Sequence, residues 1–452
     1  MSGYENYTLS PVPWIKQMPE HWGLVRGKNL YQKMQRPTSD TDEVVTCFRD
    51  GTVTLRKNCR TTGFTESLKE IGYQGIRKGD LVIHVMDAFA GSIGVSDSDG
   101  KGTPVYSVCQ AKGNSNNQYY ALLLREMARS GYIQSLYRGI RERSSDFRFE
   151  VFAAQFYPVP PREEQDQIVR FLDWKVSSIN KLIRIRKRRI EELEAIKRSS
   201  IGYLVMGQAQ SIPQRGTAVS WVKTIPAHWN EKSLIQVAEE QQIKNAGMVE
   251  DNLLSLSYGK IINKDIKTTD GLLPSSFEGY QIVHDGNIIL RLTDLQNDHK
   301  SLRTGLVTQT GIITSAYTCL NVRHNILPEY LQLQLHVADL CKVFYGMGGG
   351  VRQSIGFKEI RKLVIAIPPV EEQQHILDSV HSIEKPINCA IQNSRDIIAG
   401  LEDLKMRLIS DTVTGKIDVR GIEIPEYEFV DEDIDNADEV MEQGVNEPLE
   451  EE

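Results

Sequence analysis

Two long stretches of the chain carry apolar residues at alternating steps of three and four. Val169, Leu172, Val176, Ile179, Ile183, Arg186, Ile190, Leu193, Lys197, Ser200 and Leu204 follow a heptad, and eight of the eleven are apolar. Shifted by 208 residues, the same frame gives Leu377, Val380, Glu384, Ile387, Ile391, Ser394, Ile398, Leu401, Lys405, Leu408 and Thr412, with seven apolar. A 3.5-residue repeat sustained this long predicts helices with a coiled-coil seam. Two matched helices in one chain most simply pair with each other. Ordinary amphipathic helices packed on neighbouring globules are the alternative. Pro386 predicts a kink or break early in the second helix. Forty helical residues span roughly 60 Å, which makes a spacer of useful length.

Shorter patterns precede each helix. Asp80–Val85, Gly91–Val95 and Pro104–Val108 are β-branched runs broken by glycine and polar turns, as are Asn287–Leu292, Thr304–Thr308 and Thr314–Leu320. They predict strands. Tyr119–Ser130 and Glu329–Phe344 predict helices. Each half is therefore expected to hold a mixed α/β globule of about 150 residues, the size of an ordinary domain.

The halves are copies. Val159-Pro-Pro-Arg-Glu-Glu-Gln165 returns as Ile367-Pro-Pro-Val-Glu-Glu-Gln373, 208 residues on. Trp14-Ile-Lys-Gln-Met-Pro-Glu-His-Trp22 returns as Trp221-Val-Lys-Thr-Ile-Pro-Ala-His-Trp229, offset by 207. Tyr73 with Lys78–Leu81, Asp87 and Met206-Gly207 return as Tyr280 with Asp285–Ile288, Asp294 and Thr414-Gly415. Landmarks that hold register across so many positions mark a tandem duplication.

Composition is that of a soluble globular protein, with 40% hydrophobic and 25% charged residues. No stretch approaches 18 uninterrupted apolar residues, so no membrane span is expected. The start, MSGYENYTLSPVP, lacks the features of a secretory signal. Six scattered cysteines without C-x-x-C fit free thiols in a reducing cytoplasm. The net charge of −7 hides an asymmetry, because residues 421–452 hold 14 Asp/Glu and no Lys or Arg. The remainder carries 53 basic and 46 acidic residues. A solvated, disordered tail is expected there, or one that occupies a basic surface.

No motif brings catalytic chemistry. There is no G-x-x-x-x-G-K-[ST], and Gly346–Gly350 follows no apolar strand. His21 and His228 sit in Pro-x-His-Trp, which reads as a packed strap rather than a metal site. Glu163, Glu164, Glu371 and Glu372 read as acidic residues at helix starts. The basic residues are more informative. Lys181–Arg189 holds six positive charges in nine residues, a costly arrangement unless something anionic offsets it. Candidate DNA contacts are Arg56, Lys57 and Arg60; Arg138, Arg141 and Arg143, with Arg148 close by; Arg291, Lys300 and Arg303; and Arg352 with Gln353. Arg and Gln can read guanine and adenine edges, and Arg and Lys also hold phosphates.

With the two W-x-K-x-x-P-x-H-W straps, the two P-P-x-E-E-Q helix starts and Thr414-Gly-Lys-Ile417, the sequence resembles the specificity (S) subunits of type I restriction–modification systems over about residues 1–420. The resemblance implies a fold of two mixed α/β target recognition domains in tandem pseudo-repeat, separated by two long helices in an antiparallel coiled coil. The expected division is 1–157 for the first recognition domain, 158–210 for the first long helix, 211–365 for the second domain, 366–420 for the second helix and 421–452 for the tail. The chain would be a non-catalytic, cytoplasmic subunit that reads a split, asymmetric site on double-stranded DNA. Leu172, Ile179, Ile183, Ile190, Leu193, Ile387, Ile391, Ile398, Leu401 and Leu408 would form the coil and dock partners. Those partners would be two modification subunits and up to two restriction subunits. S-adenosylmethionine, ATP and magnesium would enter through them, with no cofactor in this chain. The competing reading is an assembly scaffold or decoy that binds the partners without reading DNA.

Overall fold

In the computed structural model the described residues are 2–59, 71–136, 146–208, 212–266, 276–296, 298, 301–323, 325–347 and 354–431. Contacts divide them into two compact units. Unit 1 holds residues 2–186 and 396–431, and unit 2 holds 187–395. Four helices organise them: α1 (Asn117–Arg129), α2 (Arg162–Val205), α3 (Pro328–Leu340) and α4 (Val370–Val413). The unit boundary divides α2 between Arg186 and Lys187 and α4 between Arg395 and Asp396. Each unit thus joins a globule to the first part of one long helix and the last part of the other.

Within unit 1 the central sheet is antiparallel, in the order Tyr31–Lys33, Tyr106–Ala111, Leu81–His84, Ile93–Val95. The run Leu81-Val-Ile is buried on both faces because side chains alternate along a strand. Leu81 and Ile83 point into the core beneath α1, and Val82 into a smaller core with Val45 and Val53. Unit 2 repeats this plan with Ala238–Gln241, Thr318–Val322, Ile288–Leu290 and Thr304–Leu306. There Ile288 and Leu290 face the core of α3, while Ile289 faces Leu254 and Leu256. The side chain of Asn116 accepts from the amides of Gln118 and Tyr119 to start α1, and Pro328 opens α3.

The long helices bury the predicted seam. Of the 22 heptad positions named above, Arg186 alone is exposed. In unit 1, Leu172, Ile179 and Ile183 share one core with Ile398, Leu401 and Leu408. In unit 2, Leu193 and Ile391 are buried, and Ile190 and Ile387 are half-buried. Direction follows from polar contacts in unit 2: Lys197 Nζ lies 3.1 Å from Glu384 Oε1, and Glu194 Oε1 lies 3.7 Å from Arg395 Nη2. The lower number on α2 meets the higher number on α4, so the pairing is antiparallel.

Two expectations are corrected. α4 runs unbroken through Pro386. Proline removes one amide donor, but Lys197 reaches Glu384 and Asn388 Oδ1 on either side of it and ties the two turns together. The C-terminal segment is not free from residue 421 onward. Ile422 and Ile424 pack on the unit 1 core, and Val430 is 5% exposed. Gln167 donates to the carbonyls of Val419 and Ile422, Asn180 donates to the carbonyl of Val430, and the Val430 amide donates to Ser177 Oγ. Isoleucine and valine spaced among the acids give this stretch something to bury, which net charge conceals. Residues 432–452 lie outside the described residues.

Candidate nucleic-acid interface

The strap and the helix start, read separately in the sequence, form one lock. In unit 1 the carboxylate of Glu164 is buried in the first turn of α2. Its Oε1 accepts from the Trp22 indole at 2.9 Å and from the Tyr4 hydroxyl, and its Oε2 lies 2.8 Å from His21 Nε2. In unit 2 Glu372 accepts from the Trp229 indole at 3.0 Å and lies 2.8 Å from His228 Nε2. Beside each lock a glutamine clamps the turn: Gln165 donates to Pro160 and accepts from the Asn116 amide, and Gln373 donates to Pro368 and accepts from the Leu327 amide. The glutamates are thus structural acceptors. Among the described residues no group of three or more His, Cys, Asp or Glu could hold a metal.

The end of each long helix closes against a strap. Gly415, with φ of 78°, lies against Pro19 and Trp22 in unit 1; Gly207, with φ of 66°, lies against Pro226 and Trp229 in unit 2. A side chain at either position meets both a left-handed backbone and a filled space. The strap, the first turn of one helix and the last turn of the other therefore form the base on which each globule stands.

Above that base a strand pair, Gly23–Arg26 with Phe156–Val159, matches Asn230–Ser233 with Val364–Ile367. A second correspondence concerns the loops. The Phe147 amide donates to the Val85 carbonyl at 3.2 Å, and the Ile355 amide donates to the Leu292 carbonyl at 3.0 Å. Phe147 and Ile355 are thus each pinned to the loop after a central strand.

The candidate contacts distribute unevenly. Arg60, Arg138, Arg141, Arg143, Lys300, Arg352 and Gln353 lie outside the described residues. Arg56 opens a short helical turn and donates from Nε to Thr46 Oγ1 at 3.2 Å, while the exposed Lys57 pairs with Glu43. Arg148 is exposed and pairs with Asp146 at 2.6 Å. Arg291 is half-buried, with its guanidinium 3.9 Å from Asp298. Arg303 is corrected: it is 0% exposed, and its guanidinium is spent on internal acceptors. A side chain with no exposed surface touches no duplex.

The basic stretch on α2 has carboxylate and carbonyl acceptors within the chain. In unit 1, Lys181 Nζ pairs with Glu428 at 2.9 Å and Arg184 reaches the Asp431 carbonyl at 3.4 Å. In unit 2, Arg188 Nε lies 3.2 Å from Glu192. Burial pushes the thiols of Cys47, Cys109 and Cys319 up, the last to about 12, so these cysteines stay protonated and inert at neutral pH.

Residues 305–397 match the family profile described as the type I restriction modification DNA specificity domain. Over this span, 93 of the chain's 452 residues, the chain is similar to that family. The matched span runs from the fourth sheet strand of unit 2, through α3 and the Glu372 lock, to the middle of α4. The resemblance and the fold class expected from the sequence are borne out. A chain from a structure on complex assembly and conformational transition of the type I R-M system is 15% identical, with a TM-score of 0.61 over 88% of this chain and 99% of that one. It shares the fold. The HsdS subunit from Thermoanaerobacter tengcongensis is 15% identical, with a TM-score of 0.45 over 88% of this chain and 98% of its own. The type-I restriction-modification S subunit from M. genitalium is 12% identical, with a TM-score of 0.33 over 92% and 100%. A search of curated proteins gives no match. No helix among the described residues is long and apolar enough to cross a membrane.

Proposed function

We propose that the chain is the sequence-reading subunit of a type I restriction–modification complex. Each unit reads one half of a split, asymmetric duplex site, and the paired helices fix the distance between the halves. The observation that carries this reading is the repeated lock: His21, Trp22 and Glu164 in unit 1, His228, Trp229 and Glu372 in unit 2. A repeated base beneath two globules of different sequence is what a reader of two different half-sites requires. The same helices dock two modification subunits, and up to two restriction subunits join them. Those subunits bring S-adenosylmethionine, ATP and magnesium. The exposed or half-buried cations Arg56, Lys57 and Arg291 serve as contacts to the duplex, alongside Arg60, Arg138, Arg141, Arg143, Lys300, Arg352 and Gln353.

The test exchanges residues 23–157 for the same region of a related chain, assembles the complex with its modification subunits, and sequences the methylated DNA. One half-site changes and the other stays. A complex that assembles but shows no sequence-dependent, salt-sensitive binding to any duplex supports the scaffold reading instead.

A further inference from the structure

The loop between the strands Ile288–Leu290 and Thr304–Leu306 has 13 residues, against 8 between the corresponding strands Leu81–His84 and Ile93–Val95 of unit 1. A longer loop costs more conformational entropy to order. Its anchor is Arg303. The guanidinium donates from Nη1 to the carbonyls of Thr293 (2.8 Å) and Arg291 (3.2 Å), and from Nη2 to those of Asp294 (3.4 Å) and Asp298. Its Nε donates to the Tyr345 hydroxyl at 3.0 Å, and that hydroxyl donates onward to the Asp298 carbonyl at 3.3 Å. The Arg303 amide donates to the buried Asp339 of α3 at 2.8 Å, which fixes the anchor to the core.

Burying a guanidinium is costly unless every donor is satisfied. Here every acceptor but the Tyr345 hydroxyl is a main-chain carbonyl, and the carboxylate oxygen Asp298 Oδ2 stands 4.0 Å away. That choice has a consequence. Main-chain carbonyls are present whatever the side chains are, so the anchor does not depend on the side chains of Thr293, Asp294 and Asp298. Leu292 and Leu295 turn inward, whereas Gln296 is exposed and Thr293, Asp294 and Asp298 are half-buried. Asp294 adopts a φ of 53°, a left-handed backbone that the anchor holds from both sides. The exposed hairpin turn Tyr258-Gly259 rests on Leu302, next to the anchor, with Leu302 filling the space a β-carbon at Gly259 would need.

We propose that Arg303 and Tyr345 are positioning residues that hold residues 291–296 and 298 of unit 2 in the arrangement in which they discriminate among base pairs. The inference rests on the DNA-reading function proposed above and names the device behind one half of it. Arg303 acts from beneath the reading surface and Gln296 from upon it.

The experiment uses the full chain assembled with its modification subunits. Binding of the wild type is competed with duplexes substituted singly at each base pair of both half-sites, and the series is repeated for Arg303→Lys, Tyr345→Phe and Gln296→Ala. Arg303→Lys and Tyr345→Phe are expected to lower discrimination tenfold or more at one half-site, leaving the other half-site and the salt slope unchanged. Gln296→Ala is expected to change preference at one position of that same half-site. Tyr345 is half-buried and its ring is kept in Phe, so this variant decides the matter if Arg303→Lys does not fold. Discrimination within twofold of wild type overturns the role, as does an equal loss at both half-sites. A wild type that fails to discriminate at all overturns the DNA-reading function itself.

Discussion

Tyr119 donates its hydroxyl to the carbonyl of Val413 at 3.1 Å, joining α1 to the last turn of α4 across 294 residues of chain. Tyr330 makes the corresponding bond in unit 2, to the carbonyl of Val205 at the end of α2. The final carbonyls of a helix have no partner of their own, and each fully buried tyrosine supplies one. The Tyr330 hydroxyl also accepts from Gln334 at 2.7 Å. Tyr119→Phe should destabilise unit 1 by about 1 kcal/mol, and Tyr330→Phe should cost somewhat more because it also removes one acceptor of the Gln334 amide, which keeps the Ala366 carbonyl at 3.1 Å. Urea titrations of the two variants measure this; equal and negligible shifts contradict it.

Glu164 and Glu372 should be among the most sensitive polar positions. Glu164→Ala leaves the buried Trp22 indole and Tyr4 hydroxyl without their acceptor, at roughly 1–3 kcal/mol for each. A loss of several kcal/mol in chemical unfolding is expected, with a smaller loss for Glu372→Ala, whose side chain is 17% exposed against 3% for Glu164. Wild-type stability in Glu164→Ala would show the lock to be incidental.

His336 on α3 gives unit 2 a dependence on pH. Burial pushes its pKa below the usual value, the nearby Lys197 adds to this, and Glu384 opposes it. The unfolded chain then binds more protons than the folded one between the lowered folded pKa and about 6.5. Stability contributed by this group is complete above that window and is lost as pH falls through it. Melting temperature is expected to fall below pH 6.5, with a shallower slope in His336→Gln. An identical slope in the variant excludes His336 as the source.

Truncation separates the two parts of the C-terminal segment. A chain that stops after Asp431 keeps the described contacts of Ile422, Ile424 and Val430 and serves as the reference. Stopping after Gly421 removes Val430 from its buried site and uncovers Ser177 and Asn180, for a loss of about 1.5 kcal/mol or more. Hydrogen exchange of amides near residues 177–184 reads the same event and should rise only in the shorter chain.

Much of the fold was legible because side-chain type repeats with it. The offset of 207 to 208 aligned straps, strands and helix starts, and the heptads placed the seam correctly at Leu172, Ile183, Ile391 and Leu408. What failed was the local reading of residues whose partners are distant. Glu164 at a helix start has a sufficient local explanation, and nothing nearby announces Trp22, 142 residues earlier. Arg303 looked like a surface charge because its acceptors are backbone carbonyls, which every sequence possesses. Pro386 was expected to kink or break α4, which continues through it, and Lys197, a residue on another element, contacts Glu384 and Asn388 on either side. A signal for Arg303 was available in the lengths: the loop it closes is five residues longer than its counterpart.

Because unit 1 is built from both ends of the chain, it has to wait for its own completion during synthesis. Residues up to Arg186 leave the ribosome more than two hundred residues before Leu408 and Val413, which fill the same core. At roughly 5–20 residues per second, that interval lasts between about ten and forty-five seconds. Throughout it the nascent chain displays Leu172, Ile179 and Ile183 with no partner helix to cover them. The order of translation thus leaves the newborn first half with this apolar stripe uncovered until the second long helix has been made.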